Sequence, residues 1–213
     1  SGWDHLTFLL GLLLLFTGRF LVIAITGFTI GHSLTLGLGA MNVLRVHSEI
    51  IETLIGFSIL LLAVEYFIKH TFEIDKLAKN LALSLCAFLP LTVFGDLDLI
   101  LIIGLALFLT FYLSLTNHYS NLWLPLLITI FFGLIHGLGF ASSIAESGIP
   151  QDRLVPIILS FNIGVEVGQL AVAFALLALI KITKMYFHSS YFDYLHGAMG
   201  AFVFSMGTFW FIS

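Results

Sequence analysis

This chain has very little charge. Of its 213 residues 9% are Asp, Glu, Lys or Arg, whereas a water-soluble domain of that length carries roughly a quarter. A hydrated surface cannot be built from so few ionic groups, so a soluble enzyme or binding module is excluded. Cysteine is scarcer still. The single one, Cys86, cannot close an internal disulfide, and its apolar neighbours mark it as a small packing residue. Proline is limited to four positions, which leaves long uninterrupted runs free to be helical. The formal net charge of −4 is small and dispersed, so nothing suggests a nucleic-acid partner.

What is present is apolar: 60% of the residues are hydrophobic, 22 of them phenylalanine. In lipid the backbone must satisfy its own polar groups, which leaves helices or a closed barrel. Barrel strands alternate over about ten residues, whereas apolar runs of about 20 indicate helices. We therefore expect an all-α, polytopic transmembrane helix bundle, one domain over 1–213, integral to a lipid bilayer. The pattern predicts eight spans near 4–17, 20–42, 49–69, 79–95, 98–117, 121–143, 153–186 and 193–213, with seven as the alternative count. Only Gly95-Asp96-Leu97-Asp98 parts the fourth from the fifth, and Pro90 interrupts the fourth. With the N-terminus outside, Arg19, Lys69, Lys76, Lys79, Lys181 and Lys184 fall on the inner side, against Arg45 and Arg153 outside. That asymmetry favours an N-out orientation. The abrupt opening at Ser1-Gly2, with neither initiator Met nor signal peptide, suggests a fragment or a processed form.

Against this background a few ionisable residues fall inside spans. A carboxylate at mid-membrane costs about 3 kcal/mol or more, so it implies a partner or a task. Glu166 is such a residue. On a helix Asn162, Glu166 and Gln169 share one face, and Gly164 and Gly168 suggest a close neighbour. Counting about 1.5 Å per residue from the outer ends of the spans, Asp4 and His5 lie near the surface. Glu52 lies about 5 Å in, His136 about 10 Å, His32 about 15 Å and Glu166 about 20 Å. The inner half offers only Glu65 and His196. Thr29, His32 and Thr35 share a helix face, and glycines flank His136 on both sides. Imidazole with carboxylate suits a divalent transition metal (Ni, Co, Zn or Cu) more than Mg or Ca.

The plain alternatives are ordinary ones. A lone membrane histidine is more often an interhelical hydrogen-bonding residue than a ligand, and Asn162 and Gln169 serve equally as interhelical glue. Asp4 and His5 can be an interfacial pair, and Glu52 can face water. The case for a site rests on several such residues sharing one depth.

Five blocks resemble one family, the hydrogenase/urease accessory membrane proteins of the HupE/UreJ type. Gly2-Trp3-Asp4-His5-Leu6-Thr7-Phe8-Leu9-Leu10 is similar to its G-x-D-H opening. Phe28-Thr29-Ile30-Gly31-His32-Ser33-Leu34-Thr35-Leu36 looks like its F-T-x-x-H-S-L-T-L block. Ile51-Glu52-Thr53-Leu54-Ile55 with Ser58, and then Glu65, follow a third. Residues 132–141 resemble F-G-L-V-H-G-F-G-F-A, and 161–170 resemble F-N-L-G-V-E-L-G-Q-L. The resemblance implies a bacterial inner-membrane protein of nickel or cobalt supply, a permease, whose longer relatives carry an extracytoplasmic domain ahead of the first block. The stretch between Glu65 and Phe132 is longer here than the resemblance leads one to expect.

Two functions follow as expectations. In the first, a metal-ion permease, Asp4 and His5 form the entrance and His32 and His136 ligate a Ni, Co or Zn ion. Glu166 balances its charge, Glu52 is an accessory ligand, and Asn162, Gln169, Thr35 and Ser33 orient the ligands. In the second, an intramembrane zinc-dependent hydrolase, the same cluster holds a catalytic ion, and Glu166 and Ser33 are the catalytic candidates. A sensor, or a membrane anchor for the missing segment, is a third reading.

Overall fold

The computed structural model describes residues 2–41, 43–44, 48–71, 104, 123–146, 150–186 and 189–213. These form six helices: α1 (Gly2–Leu15), α2 (Arg19–Ala40), α3 (Ser48–Thr71), α4 (Trp123–Glu146), α5 (Gln151–Tyr186) and α6 (Ser189–Ile212), with no strand among the described residues. Five are long and apolar enough to cross a bilayer; α1, with 14 residues, is shorter. The predicted helical bundle is therefore present. Among the described residues the spans number five plus α1, and the predicted spans 79–95 and 98–117 lie outside those residues.

In α1, Phe8, Leu9 and Leu12 are essentially solvent-free within the core. The chain reverses into α2 at Gly18, whose φ of 57° falls in the left-handed region that glycine adopts freely. Two pairs of helices pack closely among the described residues. In α2–α4 the backbones meet at glycines. A Cβ on Gly31 would overlap the Ile130 carbonyl, one on Gly133 the Phe28 carbonyl, and one on Gly137 the His32 carbonyl. In α3–α6, Gly56 lies against the backbone of Trp210 and Phe211, and Gly207 against that of Leu60. Lipid gives no hydrophobic drive for helix association, so close approach at small residues supplies the dispersion contacts instead.

α5 is 36 residues long, about 54 Å, and exceeds the roughly 30 Å of hydrocarbon. It turns only one stripe inward: Leu154, Ile158, Asn162, Gln169 and Ala173 are buried while most of the rest is exposed. The expected close neighbour at Gly164 and Gly168 is not found, because a Cβ on either would meet nothing within 4 Å among the described residues. Among the described residues the glycine contacts tightest against a neighbouring helix's backbone belong to α2–α4 and α3–α6.

Hydroxyls inside the bundle are satisfied mainly by their own helices. Thr29 Oγ1 donates to Ile25 O (3.2 Å), Ser33 Oγ to Thr29 O (2.6 Å) and Thr129 Oγ1 to Pro125 O (2.8 Å). Thr35 Oγ1 lies 3.3 Å from Gly31 O of its own helix and also crosses to Leu134 O at 2.7 Å, which ties α2 to α4 one turn beyond His32.

Candidate functional site

The close contact of α2 with α4 decides where two imidazoles go. His32 follows Gly31, and His136 precedes Gly137. The glycines bring the helix axes together, so both rings are sealed inside the bundle at 0% exposure. α1 adds a third ring. His5 is 8% exposed and packs edge to face on both, with ring centroids 4.9 Å from His32 and 5.5 Å from His136. Phenylalanines close the surroundings. Phe28 lies 5.6 Å from the His5 ring and 5.0 Å from that of His136, Phe8 lies 5.0 Å from His136, and Phe140 lies 5.5 Å from His5.

Each imidazole has one nitrogen anchored by a neighbour. The His5 Nδ1 lies 3.0 Å from Asp4 Oδ1, which also accepts the His5 backbone N–H at 2.9 Å. An ionised carboxylate only accepts, so Nδ1 carries the hydrogen. The His32 Nδ1 lies 3.0 Å from Asn162 Oδ1. The amide is oriented by its Nδ2, which donates to Ile158 O at 2.8 Å, so again the ring donates. The His136 Nε2 lies 2.9 Å from Ser58 Oγ, whose own hydrogen is directed to Ile55 O at 2.8 Å. The network therefore assigns the hydrogen to Nε2 of that ring.

The other nitrogen of each ring is then a bare lone pair. His5 Nε2, His32 Nε2 and His136 Nδ1 are all buried with no hydrogen-bond partner among the described residues. An unsatisfied buried polar atom costs about 1–3 kcal/mol, so three at one place call for an explanation. Acceptors gathered in this way attract a cation and repel an anion. As the side chains stand, however, no three or more His, Cys, Asp or Glu among the described residues are gathered into a group that could hold a metal ion.

The sequence-level candidates divide. Asp4, His5, His32, His136 and Asn162 meet in one place. Glu166 does not join them: it accepts from Thr26 Oγ1 at 2.8 Å, six residues from His32 on α2. Asn162, expected to orient Glu166, holds His32 instead. Glu52 is exposed, which removes it as a ligand of this cluster. Ser33 is half-buried and bonds back to Thr29 O, and Thr35 clamps two helices, so neither hydroxyl reaches the rings. Gln169 is buried, yet no hydrogen bond joins it to Glu166. The inner-half candidate Glu65 is fully buried and accepts from Lys69 Nζ at 2.6 Å. Ser58 was not singled out as a partner of the site, although its place in the third sequence block and its polarity at mid-span were visible signals. Thr26 was missed outright, since a threonine that bonds within its own helix looks the same in sequence.

A family model described as HupE / UreJ protein matches the chain over residues 1–89 and 76–213. No curated protein and no solved structure matches it.

Proposed function

The chain belongs to the HupE/UreJ family, and from that premise we propose that it binds a divalent transition metal ion, nickel or cobalt, at His5, His32 and His136 and carries it across the bacterial inner membrane. The observation that supports this reading most is the set of three buried, donor-free imidazole nitrogens on three different helices. Neutral imidazole is a favoured ligand of such ions, and each ring has the outer partner that a metal-binding histidine normally has: a carboxylate, an amide oxygen or a hydroxyl. Asp4 contributes the negative charge beside the rings. Loading requires the imidazoles to turn from edge-to-face packing so that their free nitrogens meet on the ion. A site of few ligands that must reorganise to bind also releases its ion, as transport requires.

The hydrolase reading receives no comparable support. Its serine is bonded within its own helix, and Glu166 of α5 is held at another place, by Thr26 of α2.

The test is nickel or cobalt binding to the purified full chain by equilibrium dialysis with elemental analysis, paired with uptake into proteoliposomes. The His32→Ala/His136→Ala double variant should lose both. Wild-type binding and uptake in that variant would overturn the assignment.

A further inference from the structure

One polar feature of the bundle is left over by the imidazole cluster. Gln169 is 8% exposed, and its Oε1 has no hydrogen-bond partner among the described residues. It lies three residues after Glu166, one turn along α5 on the same face. Glu166 is half-buried and holds Thr26 of α2 at 2.8 Å. Thr26 is six residues from His32, about 9 Å along the helix axis, so this group is distinct from the rings. Its donors also differ in kind: a hydroxyl, a carboxylate and an amide carbonyl, all oxygen, with a single formal negative charge. Thr26 further lines a pocket of about 490 Å³ between α2 and α4, shared with Val22, Ile23, Ile30, Trp123 and Leu126.

Oxygen donors with one negative charge fit a small hard monovalent cation and fit nickel or cobalt poorly. α5 packs mainly on α2 and α1. Their ionisable residues are Arg19 and His32 on α2, and Asp4 and His5 on α1. Three of these belong to the imidazole cluster, and Arg19 stands two turns from Thr26. Apart from Asp4 of the imidazole cluster and Asp152 at the start of α5, Glu166 is the acid that the described residues bring to this seam.

We propose that Thr26, Glu166 and Gln169 form a second, all-oxygen station that takes a small hard monovalent cation, sodium. Sodium would take the carboxylate and the amide oxygen as ligands. Coupling of this station to metal movement rests on the permease reading; the station itself does not.

The experiment follows thermal unfolding of the full chain in detergent, stripped of transition metals. Sodium chloride is exchanged for choline chloride at constant ionic strength and constant pH. Sodium should raise the wild-type Tm by about 3 °C. Thr26→Val, Glu166→Gln and Gln169→Leu should each remove the shift, and His32→Ala/His136→Ala should keep it. The station is overturned if sodium leaves the wild-type Tm unchanged, or if the shift persists in both Glu166→Gln and Gln169→Leu. No transition metal enters the readout, so failure of the station and failure of the imidazole site are separately visible.

Discussion

The α2–α4 and α3–α6 pairs are closed by the same device and carry different things. In both, glycine lets backbone approach backbone: Gly31 and Gly133 in the first, Gly56 and Gly207 in the second. Beside the first set stand His32 and His136, sealed from solvent. Beside the second stand Ile59 and Val203, equally sealed. Toward the end of α3 Lys69 reaches Glu65, and the His70 Nδ1 donates to Tyr66 O at 2.8 Å. Glycine thus sets how near two helices come, and the neighbouring residue decides whether the dry space between them is structural or chemical. A histidine next to a close glycine contact loses its water and must find its partners inside the protein, here Asn162 and Ser58.

The comparison can be broken most severely at the glycines. Gly31→Val and Gly207→Val should each destabilise the detergent-solubilised protein by about 3 kcal/mol or more, because the added methyls meet backbone that cannot give way. They should differ in what the surviving folded protein does. Nickel affinity measured on the folded fraction should be lost in Gly31→Val and kept in Gly207→Val. Equal loss in both would mean that the pairs are not functionally distinct.

The next effect is at the ring anchors. Asn162→Leu and Ser58→Ala free the His32 and His136 rings from their fixed tautomers. Each should weaken nickel binding about 10- to 100-fold by equilibrium dialysis, the loss typical when a ligand's outer partner is removed. Affinity unchanged in both would mean that the tautomers are not set by these bonds.

A smaller effect is expected at the polar end of α3. Lys69→Met removes the ammonium that serves the buried Glu65 carboxylate. Unfolding should show a loss of about 1–3 kcal/mol, with nickel affinity unchanged. The smallest effect is at Glu52: Glu52→Gln should alter neither Tm nor affinity, since that side chain is exposed.

Much of this was legible before the fold. The class followed from the scarcity of charge, and six of the eight predicted spans coincide with helices to within a few residues. The imidazoles at 5, 32 and 136 were singled out because ionisable groups in lipid are costly. Their meeting was less accessible. Depth counted along each span set Asp4 and His5 near the surface and His32 about 15 Å below it. In the fold the His5 ring lies against both others, because the packing of α1 brings its first turn to the rings of α2 and α4. The anchors were harder still. Ser58 and Thr26 are ordinary hydroxyl residues in sequence, and only packing shows that one turns to a ring while the other turns to an acid.

Composition and periodicity by themselves determined that this protein is a helical bundle in lipid and that Asn162, Glu166 and Gln169 line one side of one helix, since both follow from the cost of exposing polar groups and from 3.6 residues per turn. Which member of that stripe would meet His32 was left to the tertiary structure. One helical turn is about 5.4 Å, so the axial offset of α5 against α2 is enough to exchange Glu166 for Asn162 at the ring. No local pattern encodes that offset; it is set by how the whole bundle packs.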